Sequence, residues 1–275
     1  MNYRHGYHAG NFADVFKHAL LARVLVHMNA KDAPYRMIDT HAGAGHYDLT
    51  GDKARATGEA DSGIARLLAH PPAGEAAELL KPYLGTIAKS APRYPGSPVM
   101  MQALSRPQDR MIFCELHPKE HAQLVKSLGR DRRVKTIAGD GWQALKALLP
   151  PKERRGVVLV DPPYEDPAEF RQAADAIGEA VRRFATGIYL VWYPVKNRYE
   201  TDAAIRRLAR AAAAPALKLE FEIAPPKADG PLTACGLLAI NPPWKFREEC
   251  AVMLPALRQA LAGENREAVR IEAMD

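Results

Sequence analysis

The sequence predicts an α/β protein with a mainly parallel sheet, helices on both faces, a C-terminal antiparallel hairpin and a small helical insertion. Short apolar runs flanked by turn residues alternate with amphipathic helical patterns, which is typical of βαβ units. The runs are apolar throughout rather than alternating, which indicates strands buried on both faces. At 275 residues the chain fits one domain, residues 1–275, that carries the insertion.

A helix over residues 11–28 comes first, with Asn11 in position to cap its first turn. The strands expected after it, in chain order, are residues 37–39, 111–115, 134–140, 156–163 and 187–195. Helices between the later strands are expected over residues 119–128, 141–149 and 167–183. Two further apolar runs, residues 217–225 and 233–243, are separated by turn residues and predict the hairpin.

The first crossover is too long to hold a single helix. A βαβ unit needs roughly 30 residues, and the interval from residue 39 to residue 111 is more than twice that length. Amphipathic pieces at residues 61–69 and 75–88, separated by two prolines, predict a helical insertion over residues 50–94. The crossover helix itself is expected at residues 98–104.

The charge of the chain is uneven. The net charge is +6, from 38 Lys and Arg against 32 Asp and Glu, and residues 121–155 alone hold nine basic and three acidic side chains. A basic surface suits a polyphosphate partner, because neutralising phosphates releases condensed counterions. A solvated basic face is the alternative, and charge alone does not decide between the two.

Signals for metal binding and targeting are missing from the sequence. Cys114, Cys235 and Cys250 lack metal-type spacing, so buried free thiols are expected. No histidine pair has zinc-type spacing with a cysteine or acid, and no metal is expected. The first residues lack the apolar stretch of a secretory signal, and no apolar run reaches the length of a membrane span. We expect a cytoplasmic protein with no membrane association and no obligate protein partner.

The strongest local signal is the tetrapeptide DPPY, residues 161–164, directly after an apolar run. Open α/β sheets bind ligands at the carboxyl ends of their strands. An adenine amino nitrogen is a poor nucleophile, and the Asp161 carboxylate and Pro162 carbonyl could hold its hydrogens while its lone pair turns toward a methyl donor. Tyr164 offers a face for the base. These three residues are the catalytic candidates, and a turn that merely ends a strand is the alternative.

Weaker signals end the three earlier strands. Gly43 and Gly45 form a turn that lets the backbone approach a ligand, although Asp48 stands where a dinucleotide fingerprint needs a third glycine. Glu115 could accept both hydroxyls of a ribose, and Asp140 could accept a hydrogen bond from an adenine amino group. Each could alone be a packing or surface feature. Together with DPPY, they converge on one edge of one sheet.

That order resembles class I, Rossmann-like S-adenosylmethionine-dependent methyltransferases that act on exocyclic amino groups. The segments YRHGYHAGNFADVFKH, DTHAGAGHY, YPGSP, ELHP, GDGW, VDPPYE and INPPWK span nearly the entire chain and resemble the bacterial ribosomal RNA large subunit methyltransferase J family. The resemblance implies methylation of an adenine amino nitrogen in 23S ribosomal RNA, with S-adenosylmethionine as donor. Besides Gly43 of the turn, it implies donor contacts by His18, His41, Ser97, Glu115, Asp140, Gly141 and Asp161. On the RNA side, the candidates are Tyr3, His5, Lys17 and Tyr164.

Other functions remain open at this point. A DNA adenine methyltransferase would share the chemistry, but such duplex readers normally carry a recognition module, and the insertion has no basic or zinc signature. A protein glutamine amide is another possible substrate of a DPPY site. A non-catalytic RNA-binding module is the alternative from a different class. The segment INPPW, residues 240–244, also resembles an amine-binding loop, but it follows the hairpin and is expected farther from the donor.

Overall fold

The structure is a computed structural model that describes residues 8–51, 58–166, 168–263 and 268–274, and its centre is an eight-stranded sheet. The strands are β1 (Arg36–Asp39), β2 (His46–Asp48), β3 (Arg93–Pro95), β4 (Arg110–Glu115), β5 (Val134–Ala138), β6 (Gly156–Val160), β7 (Ile188–Pro194), β8 (Ala216–Glu222), β9 (Ala234–Ile240) and β10 (Val269–Met274). The main sheet has the order β10-β8-β9-β7-β6-β1-β4-β5, and β2 pairs with β3 separately.

Strands β7, β6, β1, β4 and β5, in their order across the sheet, pair in parallel. Strands β9, β8 and β10 join the sheet antiparallel. The predicted mainly parallel sheet with an antiparallel C-terminal pair is therefore confirmed. The pair is not an isolated hairpin, because β9 lies between β7 and β8. The sequence analysis missed β10 and the short pairing of β2 with β3.

The helices cover both faces of the sheet, as predicted. They are α1 (Phe12–Asn29), α2 (Arg66–Ala69), α3 (Gly74–Ser90), α4 (Ser97–Leu104), α5 (Pro118–Leu128), α6 (Gly141–Leu148), α7 (Ala168–Arg183), α8 (Arg198–Ala212) and α9 (Phe246–Ala262). On β6, Val157 and Leu159 pack against the face of α1, α4 and α9, whereas Val158 and Val160 pack against α6, α7 and α8. Burial on both faces explains why this strand is apolar at every position.

Helix α1 is buried along most of its length, and the Asn11 side chain caps it by accepting a hydrogen bond from the Asp14 backbone N–H at 2.9 Å. Its neighbours are α3, α4 and α9. Polar residues of this helix, including Lys17 and His18, are buried with it. Cys114, Cys235 and Cys250 are buried free thiols, in agreement with the sequence analysis.

The segment between β2 and β3 contains helices, but its first piece is not a regular α-helix. Residues Asp61–Ala65 form a π-helical turn that leads into α2. Gly63 packs against the N-terminal segment so closely that a Cβ atom there would lie 2.1 Å from the Gly10 carbonyl oxygen, and the Ile64 N–H donates to that oxygen at 2.8 Å. This close contact explains the departure from the α-helix expected at residues 61–69.

The two edges at which the strands begin and end need names, because the strand ends position the site. We call the edge where β1, β4, β5, β6 and β7 end the carboxyl edge, and the edge where they begin the amino edge. Strand β9 runs the opposite way, and its last residue, Ile240, lies beside Tyr189 near the start of β7. Asn241 therefore lies at the amino edge, where its side-chain amide donates to the Ala185 and Gly187 carbonyls at 2.8 Å each. The INPPW segment thus lies at the edge opposite DPPY, whereas the sequence analysis had expected only that it lies farther from the donor.

No helix among the described residues is long and apolar enough to span a membrane.

Candidate active site

A cleft of about 560 Å³ opens at the carboxyl edge, between the strand ends and α1. Every candidate site residue within the described ranges lines it. These residues are Lys17, His18, His41, Gly43, Ser97, Glu115, Asp140, Gly141, Asp161, Pro162 and Tyr164. The other two candidates, Tyr3 and His5, lie outside the described residues. Four strand ends that are far apart in sequence thus form one wall, because parallel strands end at the same edge.

Backbone N–H groups hold the Glu115 carboxylate in place. The Gly43 N–H donates to Glu115 Oε2 at 2.8 Å, and the His117 N–H donates to Oε1 at 2.7 Å. Gly43 has a φ of +63°, and a Cβ atom there would lie 2.2 Å from the Tyr47 hydroxyl oxygen, so only glycine fits. Each carboxylate oxygen has a second lone pair. The carboxylate can therefore accept hydroxyl hydrogens from a ligand in the cleft.

Asp140 and Gly141 bring the backbone of the third strand end close to that of the first. Asp140 caps α6, with Oδ1 accepting a hydrogen bond from the Trp142 N–H at 2.8 Å. A Cβ atom on Gly141 would lie 1.9 Å from the Thr40 carbonyl oxygen, so no larger residue fits. The capping bond occupies one carboxylate oxygen of Asp140, and its other oxygen can serve a ligand.

A buried carboxyl group that the sequence analysis missed lies behind the glycine turn. Asp39, the last residue of β1, is fully buried, and it accepts hydrogen bonds from Ser97 Oγ at 2.6 Å and from the His41 N–H at 3.1 Å. Burial raises the pKa of Asp39 to about 7, against the opposing effect of these bonds. Asp39 thereby positions Ser97 and the backbone of His41, two residues expected to contact the donor.

This raised pKa predicts a pH-dependent stability. Between about pH 4 and pH 7 the native Asp39 keeps a proton that the unfolded chain, with the ordinary pKa of 3.8, has released. The contribution of Asp39 to the free energy of unfolding is therefore complete below about pH 4 and is lost as the pH rises through 7. Asp39→Asn should remove this dependence of the free energy of unfolding on pH. In urea denaturation, the variant should therefore gain stability relative to the wild type as the pH rises from 5 to 8. If the free energy of unfolding changes with pH equally in Asp39→Asn and in the exposed control Asp175→Asn, the raised pKa does not belong to Asp39.

Histidine side chains form another part of the cleft wall. His18 is buried, and its Nδ1 forms a hydrogen bond with the Tyr94 hydroxyl at 2.8 Å. The His41 ring lies edge-on to Trp142, with the centroids 5.1 Å apart. Burial lowers the pKa of His41 to about 4. The His41 imidazole is therefore neutral near pH 7 and does not repel a cationic ligand.

Lys17 pairs with Asp161 of the DPPY segment. Lys17 Nζ lies 2.5 Å from Asp161 Oδ2 and 3.0 Å from Asp14 Oδ1, and the Lys17 and Asp14 side chains are almost entirely buried. The sequence analysis expected Lys17 on the RNA side of the site. In the structure its ammonium group forms an ion pair with the candidate catalytic carboxylate, and its place on the RNA side stays a prediction.

Two aromatic rings, those of Tyr164 and Trp192, line the cleft beside Asp161 and Pro162. Tyr164 has a φ of +50°, donates its hydroxyl hydrogen to the Trp192 carbonyl at 3.0 Å, and packs on Phe170 with centroids 4.5 Å apart. Burial raises the pKa of Tyr164, so the hydroxyl keeps this hydrogen. Trp192, near the end of β7, is half-buried and lines the cleft. The sequence analysis missed it, although its place near the end of the strand adjacent to β6 is a signal that could have found it.

The cleft is acidic. Among the described residues, its lining includes the carboxylates of Asp14, Glu59, Glu115, Glu120, Asp140, Asp161 and Glu169, but only Lys17 and Lys196 among lysines and arginines. A negative lining attracts a cation and repels phosphate. Within the described ranges, no group of three or more His, Cys, Asp or Glu residues is arranged to hold a metal ion.

The basic stretch of residues 121–155 does not surround the cleft. Residues 130–133 precede β5 and residues 152–155 precede β6, so both groups lie at the amino edge. Some of these side chains are tied to the protein itself. Arg133 pairs with Asp131 at 2.6 Å, and Arg155 donates to the Met28 carbonyl at 3.0 Å. The stretch therefore cannot be treated as one RNA-binding face next to the site.

Comparison with known proteins shows close relatives over nearly the whole chain. Residues 32–272 match the family model described as ribosomal RNA large subunit methyltransferase D, RlmJ. The chain is 38% identical to the ribosomal RNA large subunit methyltransferase J of Escherichia coli (strain K12) over 266 residues, 95% of this chain and 94% of that protein. It is 37% identical to the protein of the same name from Haemophilus influenzae over 270 residues, 96% of this chain and 95% of that protein.

Solved structures share the fold. The protein LPL1258 from Legionella pneumophila superimposes with a TM-score of 0.87 at 34% identity, with 97% of each chain covered. A probable spermidine synthase from Corynebacterium glutamicum reaches a TM-score of 0.53 at 12% identity, covering 98% of this chain and 78% of that chain. At that identity the similarity shows the fold alone.

Proposed function

Because this chain belongs to the ribosomal RNA large subunit methyltransferase J family, we propose that it is a cytoplasmic enzyme that transfers a methyl group from S-adenosylmethionine to the amino nitrogen of an adenine in 23S ribosomal RNA. The observation that carries the proposal is the position of DPPY in the cleft. Asp161 shares this cleft with the carboxylates of Glu115 and Asp140 and with the glycine turn at Gly43.

The cleft fits the methyl donor in size and charge. Its volume of about 560 Å³ lies within the range of small-molecule sites. The excess of carboxylates in its lining suits a donor whose sulfonium group is positively charged. We assign the ribose hydroxyls of the donor to Glu115 and the amino group of the donor's adenine to Asp140. At Gly43 and Gly141, where no Cβ atom fits, the backbone can approach the donor closely. When bound, the donor supplies an electrophilic methyl group.

The DPPY segment supplies the acceptors for the target amine. The Asp161 carboxylate and the Pro162 carbonyl would accept its two hydrogens and orient the nitrogen lone pair. These acceptors also stabilise the amine as it gains positive charge. Lys17 Nζ, 2.5 Å from Asp161 Oδ2, holds this carboxylate in position. The aromatic rings of Tyr164 and Trp192 provide apolar walls on which a base extruded from an RNA loop can stack.

Methylation of a defined transcript tests the proposal. Purified protein is incubated with S-adenosylmethionine and an in vitro 23S ribosomal RNA transcript, and the RNA is digested and mapped by mass spectrometry. We expect N6-methyladenosine at one position in the transcript. Adenine-containing duplex DNA serves as the control substrate and should remain unmethylated. Methylation of the DNA, or of no nucleic acid at all, would contradict the proposal.

The role assigned to Glu115 predicts weaker donor binding on its removal. Glu115→Ala should weaken binding of S-adenosylmethionine by about 1.5 to 3 kcal/mol, the range for hydrogen bonds to charged groups. Isothermal titration calorimetry measures this directly. Glu120→Ala removes the same charge from the same cleft lining and should have a smaller effect. If both variants bind the donor like the wild type, Glu115 does not contact it.

A further inference from the structure

The amino edge carries exposed positive charge, in contrast to the mostly acidic lining that the described residues give the cleft. Loops and helix ends at this edge expose a set of lysines and arginines, namely Arg130, Arg132, Lys152, Arg154, Arg182 and Lys245. Across the described part of the chain, none of these side chains forms an ion pair with a carboxylate. The acids in the same loops are already engaged, since Glu153 pairs with Arg36 at 2.7 Å and Asp131 with Arg133.

An exposed tryptophan stands on the same edge. Trp244, in the segment that resembles an amine-binding loop, has 85% of its surface exposed. The segment is held firmly at both ends. Asn241, with a φ of +52°, donates two hydrogen bonds to the Ala185 and Gly187 carbonyls, and the Phe246 N–H donates to the Pro243 carbonyl at 3.1 Å. With two prolines between these anchors, the backbone that carries Trp244 is constrained before any ligand binds.

Trp244 and part of the basic set belong to loops and a helix end that adjoin three consecutive strands. Lys152 precedes β6, Arg182 lies near the end of α7 before β7, and Lys245 follows β9. Strands β6, β7 and β9 are consecutive in the sheet. Neighbouring strands are about 4.8 Å apart, so the three strand ends fall within roughly 10 Å. This surface, defined by Lys152, Arg182, Trp244 and Lys245, is called the basic edge below.

We propose that the basic edge is a second contact surface for the RNA substrate, where Trp244 stacks on an unpaired base and the cations bind phosphates. The inference rests on the proposed function. Charge complementarity supports it, because the described lining of the cleft carries more carboxylates than cations, whereas the basic edge offers cations to phosphates. An exposed aromatic ring among cations is the usual combination for single-stranded RNA. The five residues of β6 span about 17 Å, so an RNA of more than a few nucleotides can reach both edges.

Two variants test the basic edge, one for stacking and one for charge. Trp244→Ala should lower the affinity for the 23S transcript about tenfold, within the range for loss of one stacked base. Lys152→Glu with Arg182→Glu should lower it tenfold or more at low salt and reduce the slope of log affinity against log salt by roughly 1 to 2. Filter binding across a salt series measures both. In methylation assays, KM for the transcript should rise in parallel while kcat and the affinity for S-adenosylmethionine stay unchanged.

A matched control makes the test specific. Arg206→Glu with Arg207→Glu reverses two charges on the exposed surface of α8 and should leave the salt slope near that of the wild type. The proposal is overturned if the basic-edge variants bind the transcript like the wild type at every salt concentration. It is also overturned if their loss of affinity is no larger than that of the α8 control. Binding is measured without turnover, so failure of the wild type to methylate the transcript would contradict the proposed function and leave this test intact.

Discussion

Replacing Asp161 by Ala is expected to lower the rate of methyl transfer by about three orders of magnitude. The carboxylate lies at the end of β6 in the cleft and is oriented by Lys17 at 2.5 Å. An acceptor that acts mainly as charge develops on the amine affects the transition state more than the bound substrates. Loss of one such group costs about 10² to 10³ in rate in other enzymes. The single-turnover rate at saturating donor and RNA should fall by about 10³, with a much smaller effect on transcript binding.

Asn241→Ala is the matched control, because INPPW offers the same combination of an acceptor, two prolines and an aromatic ring. The structure places Asn241 at the amino edge, where its amide is occupied by the Ala185 and Gly187 carbonyls. Its removal should cost about 1 to 3 kcal/mol of stability through two lost hydrogen bonds, while the saturated single-turnover rate stays within about tenfold. The opposite pattern, a folded Asn241 variant without turnover and an active Asp161 variant, would move the amine-binding site to the other loop.

The strand ends of the site could be predicted because their signals are local. DPPY, Glu115, Asp140 and the glycine turn each follow an apolar run, and parallel strands must end at the same edge of the sheet. That reasoning needs only the order of strands and turns. It predicted that residues as distant in sequence as Gly43 and Asp161 lie at one edge, and both line the same cleft in the structure.

Contacts that depend on helix placement could not be predicted. Lys17 and Asp161 are 144 residues apart, and α1 is buried on nearly all sides, so its pattern does not show which side chain reaches β6. The burial of Asp39 could not be predicted either. It arises because α4, with Ser97 at its start, packs over the end of β1.

The basic stretch illustrates a different limit. In a parallel sheet, successive loops alternate between the two edges. Residues 130–133 and 152–155 therefore face away from the cleft, while Asp140 and Gly141 between them line it. A count of charge along the sequence averages over both edges and cannot separate an acidic cleft from a basic surface.

Replacing Lys17 by Met is expected to destabilise the protein by about 3 to 5 kcal/mol, the usual cost of removing one partner from a buried ion pair. The ammonium group neutralises Asp161 and Asp14 in a site where 5% of the Lys17 side chain is exposed. Methionine keeps the length of the chain but leaves two nearby carboxylates to repel each other. Urea denaturation measures the loss. Lys81→Met, which breaks an exposed pair with Glu78, should cost less than about 1 kcal/mol.

A double-mutant cycle separates the ion pair from simple loss of packing. Because Asp161→Asn removes the charge that Lys17 neutralises, the double variant Lys17→Met with Asp161→Asn should be more stable than the sum of the single changes implies. Additive effects within about 0.5 kcal/mol would show that Lys17 stabilises the fold without acting on Asp161, and its proposed role in positioning that carboxylate would then be wrong.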